Sequence, residues 1–488
     1  MKKPLRVCAF LFVLLAALCL VNEIFRWKDY HYQVWPNSAT VSGFYRIERG
    51  TVDVLFLGSS QGVTAFNPQV LYNERGIRSY NLSTEQQSLV LSYYLLKESL
   101  KYQRPKAVVL DVWMCFGNQN PLNSAAGCVR KIVDQMRWGK QKISLINDIC
   151  ALDPTFDEKS FFLKNTVYHE RWKSLREADF EFLQLAAPMP LKGYSAESIP
   201  YRNDEPQPFD AAQDIDVEPA AMQRNMEVYL EKIISLCERE KIRLILCKTP
   251  NLGWNLSQHI AAQGMAERHN LPFYDFNEQG VYQESGYNYA TDGGSHLDDA
   301  GATKVSAFLG KLLSSEYGIE PRIDRQWEDS RSQAEHVSIA MRLPHVTDIY
   351  EYLSLLRGAD FTVLIAIKDE GTGALDRDLL GLLSALGLNE KLEGQWRKSY
   401  IAVINDGKVK ETLSDQKLFA DGTMRGGRTR YSIMSAGLPV GNDCSIKING
   451  AEHAKRQRGM NIVVYDEKYR RVADSAAFDT CSGLAAFR

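Results

Sequence analysis

The stretch VDVLFLGSSQG, residues 52–62, decides how this chain is read. Val52 to Leu57 is a short, nearly continuous apolar run that stops at Gly58. A strand buried on both faces of a parallel sheet reads this way, because neither face meets water. Ser59 and Ser60 follow at once, ahead of a helical stretch. A serine there sits at a strand-to-helix turn, close to the free N–H groups of a helix N-terminus, which stabilise developing negative charge. The same two serines also suit a plain helix cap. Taken alone, the motif leaves both readings open.

Outward from this stretch, strand and helix signals alternate. Ile77–Leu82, Ala107–Val112, Ile242–Cys247 and Leu271–Phe276 read as further buried strands. Residues 86–102, 219–239, 256–269 and 300–315 read as helices; the second carries Met222, Met226, Leu230, Ile233 and Cys237 at helical spacing. Five strands alternating with helices predict a three-layer α/β/α domain around a parallel sheet. Its site belongs beyond the carboxyl ends of the strands. Residues 113–218 are less regular and read as an insertion over one end of the sheet. Residues 318–344 are charged and poorly periodic. The expected organisation is an anchor over 1–27, the α/β domain over 28–320, a linker over 321–344 and a smaller α+β domain over 345–488.

The anchor reading comes from Lys2, Lys3 and Arg6 ahead of an apolar run from Val7 to Val21, resumed at Ile24 and Phe25. That is a signal peptide or signal anchor. No small-x-small cleavage site follows, and Leu18 before Cys19 spoils a lipoprotein site, so an uncleaved anchor is expected. Basic residues ahead of the span predict an N-terminus inside and a body outside the cell membrane. The 488 residues carry a net charge of −2, with 45% hydrophobic and 24% charged side chains. This is a globular composition with no electrostatic case for nucleic acid. The nine cysteines form no CxxC and no cluster with histidine, so neither zinc nor another cofactor is expected. Buried free thiols are expected rather than a disulfide framework.

A second motif, TDGGSHLDDAG at 291–301, supplies Asp292, His296 and a helix start within a few residues. An Asp shortly before a loop His can hold the imidazole in the tautomer a general base needs. A surface loop with a capping Asp is the plainer reading. His169, in VYHERW beside Arg171 and Trp172, suits either a substrate contact or a packed aromatic corner. Lys248, at a strand end, suits contact with an anionic substrate.

FLGSS before a helix, YNLS ending the second strand, and DGGSHLDDAG before the last helix resemble the blocks of SGNH (GDSL-like) hydrolases. The likeness covers roughly residues 50–320. The similar branch is the bacterial membrane-anchored one that includes the D-alanine transfer protein and the alginate and cellulose acetylation proteins. The resemblance implies Ser60 as nucleophile, His296 as base and Asp292 as its orienting acid. It implies the backbone N–H groups of Ser60 and Ser83 as oxyanion donors, with the Gln87 amide as a further one. Ser59 stands where the parent pattern has Asp, and Ser83 where Gly is usual. The Gly-x-Asn-Asp block is replaced by LDVWMCFGNQN, so Asp111 or Asn118 takes the place of its asparagine. Asp292 lies four residues before His296, where three is usual.

FTVLIAIKDEGTG (361–373), SYIAVINDGK (399–408) and RGMNIVVYDEKYRRVADSAAFDT (458–480) resemble the interleukin-like EMT inducer (ILEI/PANDER-type) domain. This implies a compact β-β-α fold and a binding or accessory role on a carbohydrate polymer. Asp369, Asp406 and Asp466 sit near turns, which explains them without catalysis.

The expected function is an extracytoplasmic serine esterase or O-acyltransferase acting on acyl esters of a cell-surface polysaccharide. A membrane O-acyltransferase is the implied partner. The alternative is a non-catalytic glycan-binding or scaffold protein of an envelope-modification complex. A generic secreted lipase needs neither anchor nor second domain.

Overall fold

The computed structural model describes residues 2–29, 36–117, 120–175, 177–180, 189–195, 208–211, 217–389 and 391–488. Two compact units divide the chain, Met1–Ala334 and Glu335–Arg488.

The first unit is α/β. Its sheet holds β1 (Val54–Leu57), β2 (Ser79–Asn81), β3 (Ala107–Asp111), β4 (Arg243–Lys248) and β5 (Phe273–Asp275), in the order β2-β1-β3-β4-β5 and parallel throughout. Side chains alternate between two cores. Leu55, Leu57, Val108, Leu110, Leu244 and Leu246 enter one. Val54, Phe56, Ala107, Val109, Ile245 and Cys247 enter the other. A strand covered on both faces has no polar side to show, which is why these strands read as apolar runs. Helices Leu89–Ser99, Arg224–Glu240 and Leu256–Arg268 supply the first core, and Asp299–Ser315 the second. The order reverses direction between β1 and β3, and such a reversal opens a crevice at the carboxyl ends of the strands.

One buried ion cluster ties the amino end of this sheet. The Arg78 guanidinium donates to Asp53 at 2.8 Å and to Asp324 at 3.0 Å, all three nearly sealed from water. Ahead of the sheet, the helix Lys2–Phe25 contains a 22-residue stretch, Pro4–Phe25, long and apolar enough to cross a membrane.

Residues 321–344, expected as a linker, carry the 18-residue helix Arg325–Arg342. Its apolar residues are sparse but fall on one stripe: Trp327, Ala334, Val337 and Met341 are all buried. Pairs such as Arg325–Asp329 and Arg331–Glu328 support the outer face. The abundance of charge masked the period.

The second unit is built on a ten-stranded sheet with the path β12-β11-β10-β6-β13-β14-β15. Its strands run from β6 (Thr362–Asp369) through β7 (Ser399–Asn405), β8 (Lys408–Ser414), β9 (Leu418–Thr423), β10 (Arg430–Gly437), β11 (Asp443–Ile448), β12 (Ala451–Glu452), β13 (Gly459–Asp466) and β14 (Arg471–Phe478) to β15 (Ala486–Phe487). β7 pairs with β6 and β8, and β9 with β10. Helices Ile349–Leu356 and Arg377–Ala385 close one face. Asp406 and Gly407 both have positive φ and close the hairpin between β7 and β8, the two-residue turn that Asp-Gly favours. The Asp466 carboxylate accepts from the N–H groups of Lys468 and Tyr469, again turn chemistry.

All nine cysteines are free thiols, and five of them are buried.

Replacing Arg78 by Met removes the closest cation from two buried carboxylates, leaving Asp53 with Lys106 and Arg322 at 3.9 and 4.0 Å. The expected cost is about 3–5 kcal/mol. Chemical denaturation of the detergent-solubilised chain, followed by tryptophan emission, should show the early transition at lower denaturant; an unmoved midpoint refutes this account of the cluster.

Candidate functional site

β1 ends at Gly58, where close packing demands glycine: an added Cβ would lie 2.9 Å from the Cβ of Asp111. The two serines that follow take different work. Ser59 is the N-cap of the helix Ser60–Ala65, and its hydroxyl accepts from the Gln61 N–H at 3.4 Å. Capping by Ser59 leaves the Ser60 hydroxyl uncommitted to the helix. Ser60 Oγ lies 3.0 Å from His296 Nε2.

His296 reaches Ser60 from far along the chain, on the loop between the helices Gln279–Ser285 and Asp299–Ser315. The loop doubles back tightly, with Gly293 bridged to Leu297. Gly293 has φ +96, and a Cβ there would sit 2.3 Å from the His296 carbonyl, so only glycine fits. The loop is pinned from several sides. Asn251 Nδ2 donates to the Ser295 carbonyl at 2.9 Å, and the Leu252 N–H to that of Gly294. The Tyr287 hydroxyl donates to the Gly293 carbonyl. The Leu297 N–H donates to Thr64 Oγ1 at 3.3 Å, which binds this loop directly to the serine helix.

Burial holds the His296 imidazole below its ordinary value. The Lys248 ammonium acts in the same direction, and Glu85 opposes both. A ring kept neutral retains the lone pair that a general base uses on a serine proton.

Beneath the pair lies a buried polar floor. Lys248, fully buried, donates to Gln61 Oε1 and to the Thr249 carbonyl, each at 2.6 Å. Its Nζ stands 5.2 Å from the Trp113 ring and 5.4 Å from that of Trp254, within cation–π range. Asp111 accepts from the Thr249 N–H and hydroxyl and from the Trp113 N–H. Asn277 links the Thr249 carbonyl to Asp275, which also accepts from Trp254 and pairs with His259. Lys248, expected to face an anionic substrate, is instead sealed in this floor with its protons assigned.

Other expected site residues are placed elsewhere. Asp292 does not join His296. Its carboxylate accepts from the Asn288 N–H at 2.7 Å, the Thr291 hydroxyl at 2.8 Å and the Lys304 ammonium at 2.6 Å. The physical reason is the tight turn at Gly293, which sends His296 toward Ser60 and holds Asp292 back against Gly301. Asp298 caps the last helix through the Gly301 N–H. Among the described carboxylates, Glu85, itself bonded to Asn37 and near Lys131, acts on His296 against burial and Lys248. Sequence reasoning missed Glu85, although it stands two residues after Ser83.

The Ser83 N–H, expected in the oxyanion hole, donates to Asn81 Oδ1 at 3.1 Å. The Ser83 hydroxyl is buried beside Gly62 and finds no partner among the described residues. Asn81 turns its amide to the Gly62 and Phe66 carbonyls, fastening β2 to the serine helix. Gln87 is fully buried, accepting from Thr84 and donating to Ser92, so it braces its own loop. Asn118 lies outside the described residues. His169 is exposed on a short helical turn, its Nδ1 3.3 Å from the Thr166 carbonyl, in the segment that meets the end of the N-terminal helix. Of the expected set, the structure brings Ser60 and His296 together. No group of His, Cys, Asp and Glu suited to a metal ion occurs among the described residues.

No protein-family profile matches the chain, and no curated protein is similar to it.

Asp292→Asn weakens three buried hydrogen bonds, at an expected cost of about 1–3 kcal/mol in stability. If Asp292 only staples the loop, the reactivity of Ser60 toward a serine probe stays within about tenfold of the parent, below the usual range for losing a general base. A larger loss of reactivity in a variant of undiminished thermal stability would return Asp292 to the catalytic group.

Proposed function

We propose that this chain is an extracytoplasmic serine esterase or O-acyltransferase of the SGNH type, acting on acyl esters of a cell-surface polysaccharide. The observation that carries the reading is the 3.0 Å contact between Ser60 Oγ and His296 Nε2 at the carboxyl end of a central parallel strand. In this mechanism His296 takes the Ser60 proton as Oγ attacks the acyl carbon. The carbonyl electrons move onto oxygen, which the Ser60 N–H at the helix start stabilises. The tetrahedral species collapses, the alcohol leaves with the proton from His296, and an acyl ester remains on Ser60. Water or a sugar hydroxyl, giving its proton to His296, then attacks the ester carbon; the bond to Ser60 Oγ breaks and His296 returns the proton to Oγ, giving hydrolysis or transfer. His296 serves as base in the first half and as acid when the alcohol leaves.

The N-terminal helix supports a membrane location, and Lys2, Lys3 and Arg6 support an inside N-terminus. The second unit bears an open cavity of about 380 Å³, lined by Phe419, Asp421, Asp443, Glu452 and Arg456 among others. A mixed polar and aromatic lining suits a polyhydroxylated ligand, in keeping with an accessory binding role. A membrane O-acyltransferase remains the natural source of acyl groups for the transfer variant.

The second reading, a non-catalytic glycan-binding or scaffold protein, draws on two placements: Ser83 N–H is spent on Asn81, and Asp292 is spent on Lys304.

A fluorophosphonate probe separates the two. The full chain in detergent should label, Ser60→Ala should not, and His296→Ala should label about 10²–10⁴-fold more slowly. A folded parent that stays unlabelled points to the scaffold. The pH dependence has a fixed sign: the base works when unprotonated, so the rate rises with pH through the His296 pKa. Because burial lowers that pKa, half-maximal labelling is expected below the ordinary histidine value of about 6.5. A midpoint above it contradicts the environment described for His296.

A further inference from the structure

We propose that the face formed by residues 138–180 of the insertion rests on the lipid bilayer, in the headgroup layer beside the N-terminal helix. The inference uses the reading of Pro4–Phe25 as a membrane span and does not depend on the chemistry at Ser60.

The height of this face follows from contacts with the last turn of the helix. The Asn165 N–H donates to Asn22 Oδ1, and Lys164 lies 3.6 Å from Glu23. The Arg171 guanidinium donates to the Phe25 and Arg26 carbonyls at 2.8 and 2.7 Å. It thereby satisfies carbonyls that the helix end leaves open. The same guanidinium pairs with Asp179 at 2.7 Å, so Lys164, Asn165, Arg171 and Asp179 are bound to one end of the helix. A helix that crosses the bilayer brings its last turn to the interface. Whatever is fastened to that turn stands at the interface too.

The surface at that level groups exposed apolar side chains among polar ones, Glu170 and His169 included. Trp138, Phe162, Leu163, Val167, Trp172 and Phe180 are all exposed, Trp172 at 65% and Leu163 at 55%. Trp138 stacks on Phe162 with centroids 4.9 Å apart, which joins the first of these residues to the segment around the helix. Outside the helix, the other large apolar side chains that the described part of this unit exposes are Trp27, Ile143, Val217, Val228 and Ile323. Singly scattered apolar residues carry no meaning, but a grouped patch marks an interaction surface. One exposed lysine accompanies the rings, Lys173 beside Trp172; Lys142, beside Trp138, is buried with its ammonium on the Met136 carbonyl. Tryptophan with lysine, next to a span, is the composition of a membrane–water interface, where rings sit at the headgroup level and cations meet lipid phosphates. Continuity with the span commits the face to lipid: the bilayer is already present at that height.

The test uses the full chain in lipid nanodiscs made with ordinary or acyl-brominated phosphatidylcholine. Bromine quenches tryptophan emission only at short range. A conservative pair, Trp138→Phe with Trp172→Phe, isolates the emission of these two residues as the difference from the parent. The buried Trp254 and Trp327 report that both proteins are folded. The expected result is that the difference emission loses most of its intensity in brominated discs. If the chain is retained in the discs but the difference emission is unquenched, the face meets water or a protein partner, and the proposal is overturned. If the chain does not enter discs at all, the span reading fails and the proposal falls with it. Neither outcome touches the serine chemistry, which the fluorophosphonate probe reads separately.

Discussion

The constraint on which the first unit depends is the burial of β1 on both faces and both edges. Four residues, Val54 to Leu57, are sealed between two cores and flanked by β2 and β3. Such a strand has one free direction, its carboxyl end, and the chain must leave there through a turn that packs without a side chain. Gly58 meets that demand, and the residue after it must cap a helix. Ser60 therefore emerges at the open crevice of the sheet for reasons of packing. The chemistry proposed for it uses a position the fold produces anyway.

The second support is electrostatic. A buried ammonium and several buried carboxylates are costly to hold away from water unless each proton and lone pair is matched. The floor under Ser60 meets this condition through Lys248, Gln61, Thr249, Asp111, Asn277 and Asp275. The network does more than satisfy itself. Asn277 accepts from the Asn251 N–H, and Asn251 in turn holds the Ser295 carbonyl. A continuous chain of hydrogen bonds thus runs from the strand ends to the residue preceding His296. A fully matched network of this kind is rigid, and rigidity is what holds an imidazole at hydrogen-bond distance from a hydroxyl.

The loop at 291–301 shows how a single residue of spacing changes roles. With Asp292 four residues before His296, the turn closes at Gly293, and the two side chains part. Asp292 becomes the anchor of the loop through Lys304, Thr291 and Asn288. The charges acting on His296 include Lys248 and Glu85, the latter on a loop after β2 that no spacing rule connects to it. Ser83 follows the same logic. A side chain at that position contacts Gly62, and its N–H is drawn to Asn81. The five strand signals in the apolar runs of the first unit are regions of low ambiguity, since burial dictates composition. In the second unit, β8, β9 and β10 give no continuous apolar run because charged and polar side chains alternate along them; β14 is largely buried, but Asp474, Ser475 and small alanines break its run. The Asp-Gly at 406–407 was the available clue to the β7–β8 hairpin. The helix Arg325–Arg342 was hidden by charge.

By itself, the sequence determined the parallel α/β unit, the span-length apolar helix, and the serine and histidine at strand and helix ends. These depend on local composition: continuous burial, an uninterrupted apolar run, and the residues that end a strand or start a helix. Only the tertiary structure decided which serine caps and which faces His296, that Asp292 turns to Lys304, that Lys248 is buried, and that exposed rings gather beside the N-terminal helix. Those outcomes depend on contacts between residues far apart in the chain, and on close packing that leaves each buried donor one partner it can reach.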